Sequence, residues 1–127
     1  MKAFIDSDIL IWHLRGERKA LEFLKTIQDD SAFELWTGVM QRAEVVFFMK
    51  PEEEESTKLF LSRFRTLPVD QMIIDSAASI FRIWNQTHGT DVNDAILAAS
   101  VAHAGGVIYT LNIKHYPMRD IAVKKAW

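Results

Sequence analysis

Short apolar runs of β-type residues alternate along this chain with segments of helical spacing, and that alternation narrows what it can fold into. Residues 2–5 form the first run, closed by Asp6-Ser-Asp8. A helix is predicted over 9–15, with Gly16 as its stop. Ala20, Leu21, Phe23, Leu24 and Ile27 then recur at helical spacing. Residues 33–36 read as a second strand, and 39–49 as a helix closed before Pro51. A third helical stretch, 52–66, carries acids in its first turn, as the helix dipole favours. The linker Leu67-Pro-Val69 leads to a helix over 70–87, and a helix rich in small residues follows over 91–104. Gly105-Gly106 then turns the chain into a strand at 107–109, and 121–123 is predicted as a final edge strand. Strands separated by helices predict an α/β fold, a mainly parallel central sheet with helices on both faces. Such sheets bind ligands beyond the carboxyl ends of their strands. Asp6, Thr110 and Asn112 are therefore expected on one edge.

At 127 residues, a single domain spanning 1–127 is expected. The absence of cysteine excludes disulfides, thiolate nucleophiles and cysteine-ligated zinc. Residues 1–6 lack the apolar stretch of a signal peptide. No apolar run approaches the ~18 residues of a membrane span. A cytoplasmic protein without a membrane role is the expectation. The net charge of −2 excludes a polybasic nucleic-acid coat, so any nucleic-acid contact must come from a local patch.

Several polar residues stand where chemistry is possible. Asp6 ends an apolar strand; it is either an N-cap or free for another task, and Ser7 or Asp8 is the better-placed cap. Glu44 sits in Gln41-Arg-Ala-Glu-Val-Val-Phe-Phe48. Thr37, Gln41 and Glu44 would form one polar stripe on a helix that is apolar nearly all round, which suggests burial and a need for a partner. Asp94 opens the 91–104 helix, where it is either the third residue of a capping box or a site acid; Asp91 reads mainly as the cap. Thr110 and Asn112 follow a strand, as turn formers do. None of His13, His88, His103 and His115 is paired at zinc-motif spacing. His115, beside Lys114, is placed to touch a phosphate, and the other three read as surface or capping residues.

Asp6, Glu44 and Asp94 in one pocket would repel, and without a counter-charge at least one would take a raised pKa. A hard divalent cation resolves that conflict: Mg²⁺ takes oxygen ligands, keeps several waters and is bound by one or two carboxylates plus substrate phosphate. Such a site activates water against a phosphodiester.

These residues together resemble the PIN-domain family, specifically the VapC-type toxins of type II toxin–antitoxin systems. Phe4-Ile-Asp-Ser-Asp-Ile-Leu-Ile11 with His13-Leu-Arg-Gly16 is similar to that family's opening strand and helix. Glu44 matches its helical acid, and Asn93-Asp-Ala-Ile-Leu-Ala-Ala99 its acidic helix. Thr110-Leu-Asn-Ile-Lys-His-Tyr116 resembles its Thr-x-Asn/Asp segment ending in an aromatic. The resemblance implies an endoribonuclease using Mg²⁺ or Mn²⁺, with Asp6, Glu44 and Asp94 as metal-binding acids. Asn112 would take the fourth catalytic position, often an Asp. Asp91, Thr110 and Ser7 are accessory candidates, and Lys114, His115 and Arg119 the rim that meets RNA. The implied partners are the RNA substrate, a second copy in a homodimer, and a small VapB-like antitoxin whose tail covers the acidic pocket, often with an Arg. Two other readings compete. Asp6-Ser-Asp8 resembles the Asp-x-Asp motif of haloacid-dehalogenase-like phosphatases, although that leaves Glu44 unexplained. A non-catalytic PIN-like module would bind RNA or a partner only.

Overall fold

The computed structural model describes residues 1–127. One sheet of five parallel strands runs in the order β3-β2-β1-β4-β5. These are β1 (Lys2–Ile5), β2 (Glu34–Gly38), β3 (Arg65–Leu67), β4 (Val107–Thr110) and β5 (Ala122–Lys125). The helices are α1 (Ser7–Leu14), α2 (Arg18–Asp29), α3 (Val39–Val46), α4 (Glu54–Leu61), α5 (Gln71–His88) and α6 (Val92–Ala104). The predicted α/β class, with its parallel sheet, is the observed one.

The central strand explains the first apolar run. Ala3, Phe4 and Ile5 have no solvent exposure, as befits a strand covered on both faces. Because side chains alternate across a strand, Ala3 and Ile5 join Ile9, Leu10, Leu24 and Phe60 on one face. Phe4 joins Leu97, Ala98, Val101, Ile108 and Tyr116 on the other. The small residues of α6 do similar work, since Asp94 through Val101 are all buried.

Three expectations change. The helix predicted over 52–66 is a 3₁₀ turn (Pro51–Glu53) followed by α4, and residues 65–67 form the edge strand β3, with Trp36 opposite Arg65. A strand of three residues is too short to display an alternation. The helix predicted over 39–49 ends at Val46, and Phe47 and Phe48 are 79% and 83% exposed. The apolar pattern there marks surface, not burial. Thr37 belongs to β2, where its hydroxyl donates to the Ile5 carbonyl at 2.7 Å, so it shares no helical stripe with Gln41 and Glu44. The final strand lies at Ala122–Lys125, close to its expected place, and Trp127 packs near Phe23, with ring centroids 6.1 Å apart.

Gly106 is required where α6 gives way to β4. Its φ is +118°, and a Cβ there would lie 2.5 Å from the Lys2 carbonyl oxygen. Gly106→Ala is expected to cost about 2–3 kcal/mol, because strain at a glycine-only conformation adds to a clash with backbone. Gly16, at φ +80°, has open space around its Cβ position. Gly16→Ala should cost only about 1–2 kcal/mol of left-handed strain. Urea denaturation of both variants checks the order; equal costs would remove the Lys2 clash as a cause.

Candidate active site

The site is built at the carboxyl edge of β1 and β4. Asp6 follows β1 with extended backbone and is itself the N-cap of α1, its Oδ1 accepting from the Ser7 N–H at 2.8 Å. The expectation that Ser7 or Asp8 would cap in its place is corrected: Ser7 is the first helical residue. Capping uses one carboxylate oxygen and leaves the other for the site. Asp6 Oδ2 accepts from the Thr110 hydroxyl at 2.9 Å and lies 2.8 Å from the Tyr116 hydroxyl.

Asp8 turns to the loop after β4. Its Oδ1 accepts from the Ile9 N–H at 2.7 Å. Its Oδ2 accepts from the Leu111 N–H at 3.0 Å and from Asn112 Nδ2 at 3.2 Å. Asp8 thereby ties the start of α1 to that loop. Asn112 is exposed and meets Asp8, with no hydrogen bond to Asp6, Glu44 or Asp94.

Asp94 serves both structural and site roles. Asp91 caps α6, its Oδ1 accepting from the Asp94 N–H at 2.7 Å, while Asp94 Oδ2 accepts from the Asp91 N–H at 3.0 Å. That reciprocal pair is a capping box with Asp in the place usually held by Glu or Gln. The free oxygen, Oδ1, lies 3.1 Å from the Tyr116 hydroxyl, and His115 Nδ1 lies 3.2 Å from Oδ2. Glu44 joins through neutral donors: Ser7 Oγ donates to Oε2 at 2.6 Å and Asn93 Nδ2 to Oε1 at 2.7 Å. Buried Gln41 donates to the Asn93 carbonyl at 3.3 Å, which fixes α3 on the start of α6.

Asp6, Asp94, Glu44, Ser7, Thr110 and Asp91 are thus brought together, with His115 beside them. Lys114 and Arg119 are exposed on the following segment. No Lys or Arg forms an ion pair with Asp6, Asp8, Glu44, Asp91 or Asp94. Burial, aided by the Asp8 charge, pushes the Asp6 carboxyl up to about 7, against the hydrogen bonds from Tyr116, Thr110 and Ser7. Burial likewise raises Asp94 to about 6, and Asp8 in direction, although the Leu111 and Ile9 N–H groups oppose the latter. Tyr116 is held well above its usual value by burial and by the charges of Asp6 and Asp94.

The phenol lies between the two acids. Tyr116 has one hydroxyl hydrogen but meets two carboxylate oxygens. It donates to one only; the other contact is a hydrogen bond if that carboxyl carries a proton. No three carboxylate or imidazole groups are arranged to ligate one ion directly. Asp6 and Asp94, meeting the same hydroxyl at 2.8 and 3.1 Å, are the two acids joined through one group. Oxygen donors with hydroxyl neighbours fit a hard ion that binds through one or two carboxylates and retains water.

Sequence reasoning missed the bridging role of Tyr116 and the part of Asn93. The signal for Tyr116 was its hydroxyl: a tyrosine closes the Thr110–Tyr116 segment where a phenylalanine would suffice for packing. His13, expected at the surface or as a cap, is instead stacked on Phe60 with centroids 4.2 Å apart, and burial lowers its pKa.

The chain is similar to known proteins over most of its length. Residues 3–121 match the family model described as the PIN domain. The ribonuclease VapC10 of Mycobacterium tuberculosis is 30% identical over 115 residues, 90% of this chain and 85% of that protein. The toxin–antitoxin complex from Klebsiella pneumoniae contains a chain that superposes with a TM-score of 0.77 at 23% identity, covering 98% of each. VapBC-1 from nontypeable Haemophilus influenzae superposes with a TM-score of 0.78 at 17% identity, covering 99% of this chain and 98% of that one.

Proposed function

The chain belongs to the PIN-domain family, in its VapC-type branch, and on that footing we propose that it is a divalent-cation-dependent endoribonuclease, the toxin of a toxin–antitoxin pair. The observation that carries this reading is the meeting of Asp6 and Asp94 on one buried hydroxyl at the carboxyl edge of the sheet, beside Glu44. The match to the PIN family also disfavours the phosphatase alternative, as does the engagement of Asp8 with the Ile9 and Leu111 backbone.

Asp6 and Asp94 would hold Mg²⁺ or Mn²⁺, with Glu44 acting across Ser7. When bound, the cation supplies a water of lowered pKa and neutralises charge on the scissile phosphodiester. The protein's own contribution is to hold the two carboxylates in place. Thr110 and the Ser7 N–H orient Asp6, and the capping box orients Asp94. Asn112 steadies Asp8; as an amide it supplies no charge. His115, 3.2 Å from Asp94, would meet the phosphate, and exposed Lys114 and Arg119 would form the outer basic rim. The proposed setting is one domain over 1–127, acting in the cytoplasm as a homodimer; no helix is long and apolar enough to cross a membrane. An unpaired group of acids at a site edge suits an Arg fork, which supports a small VapB-like antitoxin that inserts one there.

The deciding experiment is RNA cleavage by the purified chain, expected to be internal, to need added Mg²⁺ or Mn²⁺ and to stop with EDTA. Undiminished cleavage in EDTA would remove the cation; RNA binding without cleavage in Mn²⁺ would favour the non-catalytic module. Lys114→Ala should weaken binding about equally for all RNA sequences and reduce the salt slope of binding by about one charge. A loss confined to particular sequences would show that Lys114 reads bases.

A further inference from the structure

Tyr116 does more than its packing requires. The residue is 4% exposed and lies in the layer formed by Phe4, Leu97, Ala98, Val101 and Ile108. A buried phenol needs one acceptor to satisfy its hydroxyl; this one meets two, Asp6 Oδ2 and Asp94 Oδ1. The remaining contacts of Asp6 run to Ser7 and Thr110, and those of Asp94 to Asp91 and His115. No other group hydrogen-bonds to both acids. We infer that Tyr116 is a positioning residue: its core-anchored hydroxyl sets the separation of Asp6 Oδ2 and Asp94 Oδ1, the two oxygens that would face a shared divalent cation. This rests on the proposed cation-dependent nuclease. Partners that orient ligating groups typically change metal affinity by 10–100-fold when removed, and a phenylalanine ring preserves the packing while deleting the bridge.

The test is Mn²⁺ binding to the full chain without RNA, by calorimetry, for wild type, Tyr116→Phe and Asp6→Asn. Tyr116→Phe is expected to bind Mn²⁺ at least about 10-fold more weakly, to stay folded, and to show kcat lowered while KM for RNA holds. Asp6→Asn should lose Mn²⁺ binding altogether. Equal affinity in wild type and Tyr116→Phe would overturn the positioning role and leave the nuclease reading standing. Absence of Mn²⁺ binding by wild type would overturn both. A measurement that needs no substitution at 116 uses 3-fluorotyrosine, because the chain has two tyrosines. Their ¹⁹F resonances are assigned with Tyr109→Phe. Mg²⁺ is expected to move the Tyr116 resonance and leave that of Tyr109 in place; an immobile Tyr116 resonance would overturn the inference.

Discussion

Asp94→Asn is expected to leave the protein folded and RNA-bound while lowering RNA cleavage by about 10²–10⁴-fold, the range positioned acid–base and charge-stabilising groups commonly contribute. The amide keeps the structural half of the residue: its oxygen can still accept from the Asp91 N–H, and its NH₂ can donate to the Tyr116 oxygen. What disappears is one carboxylate charge. Losing a negative charge beside a polyanion strengthens RNA binding if it changes it at all. Filter binding and cleavage, measured on the same preparation, separate the two. Cleavage within about twofold of wild type would show that Asp94 is only a capping residue.

In chelated buffer, Asp6→Asn should melt higher than the parent at pH 8, and its advantage should vanish near pH 4. The folded protein holds the Asp6 proton up to about pH 7, whereas the unfolded chain releases it near 3.8. Between those values the folded state binds more protons, so stability is fully present below 3.8 and is lost as pH rises through about 7. At 1.36 kcal/mol per pKa unit, the amount at stake is on the order of 4 kcal/mol as an upper figure. An uncharged amide pays no such penalty; it retains the Ser7 cap and its NH₂ can donate to the Tyr116 oxygen. Thr110, losing one acceptor, has Asp8 Oδ2 at 3.4 Å. Thermal melts across pH 4–8 check this. A variant that melts below the parent at pH 8 would make Asp6 chiefly a structural cap.

The parts of the fold and site that were legible in the sequence are those written in neighbouring residues. An apolar run ending in Asp6, a small-residue helix opened by Asp91-Val-Asn-Asp94, and Gly105-Gly106 before a strand are local patterns with local causes. Parallel pairing followed from their alternation. What remained hidden depended on partners far along the chain. Asp6 was set apart because it ends the strand, and Asp8 was read as a cap; only the contacts of residues 110–116 show that Asp6 both caps and joins the bridged pair while Asp8 ties down a loop. Strand β3 was hidden because three residues carry no periodicity. Phe47 and Phe48 were misread because hydrophobicity argues for burial only when a neighbouring element is there to cover it.

The central position of β1 bears on timing during synthesis. The strand that leads into Asp6 is made before its partners: on one side it pairs with β4, and the hydroxyl contacts of Asp6 are 104 and 110 residues away. Nascent chains order from the N-terminus as they lengthen. A ribosome-bound chain that has not reached residue 110 holds Asp6 without Thr110 or Tyr116, and with half of its central strand unpaired. Whatever this edge does chemically is withheld until residue 116 has been made. Translational pausing or premature termination anywhere before β4 would yield a fragment that is not merely less stable but inert.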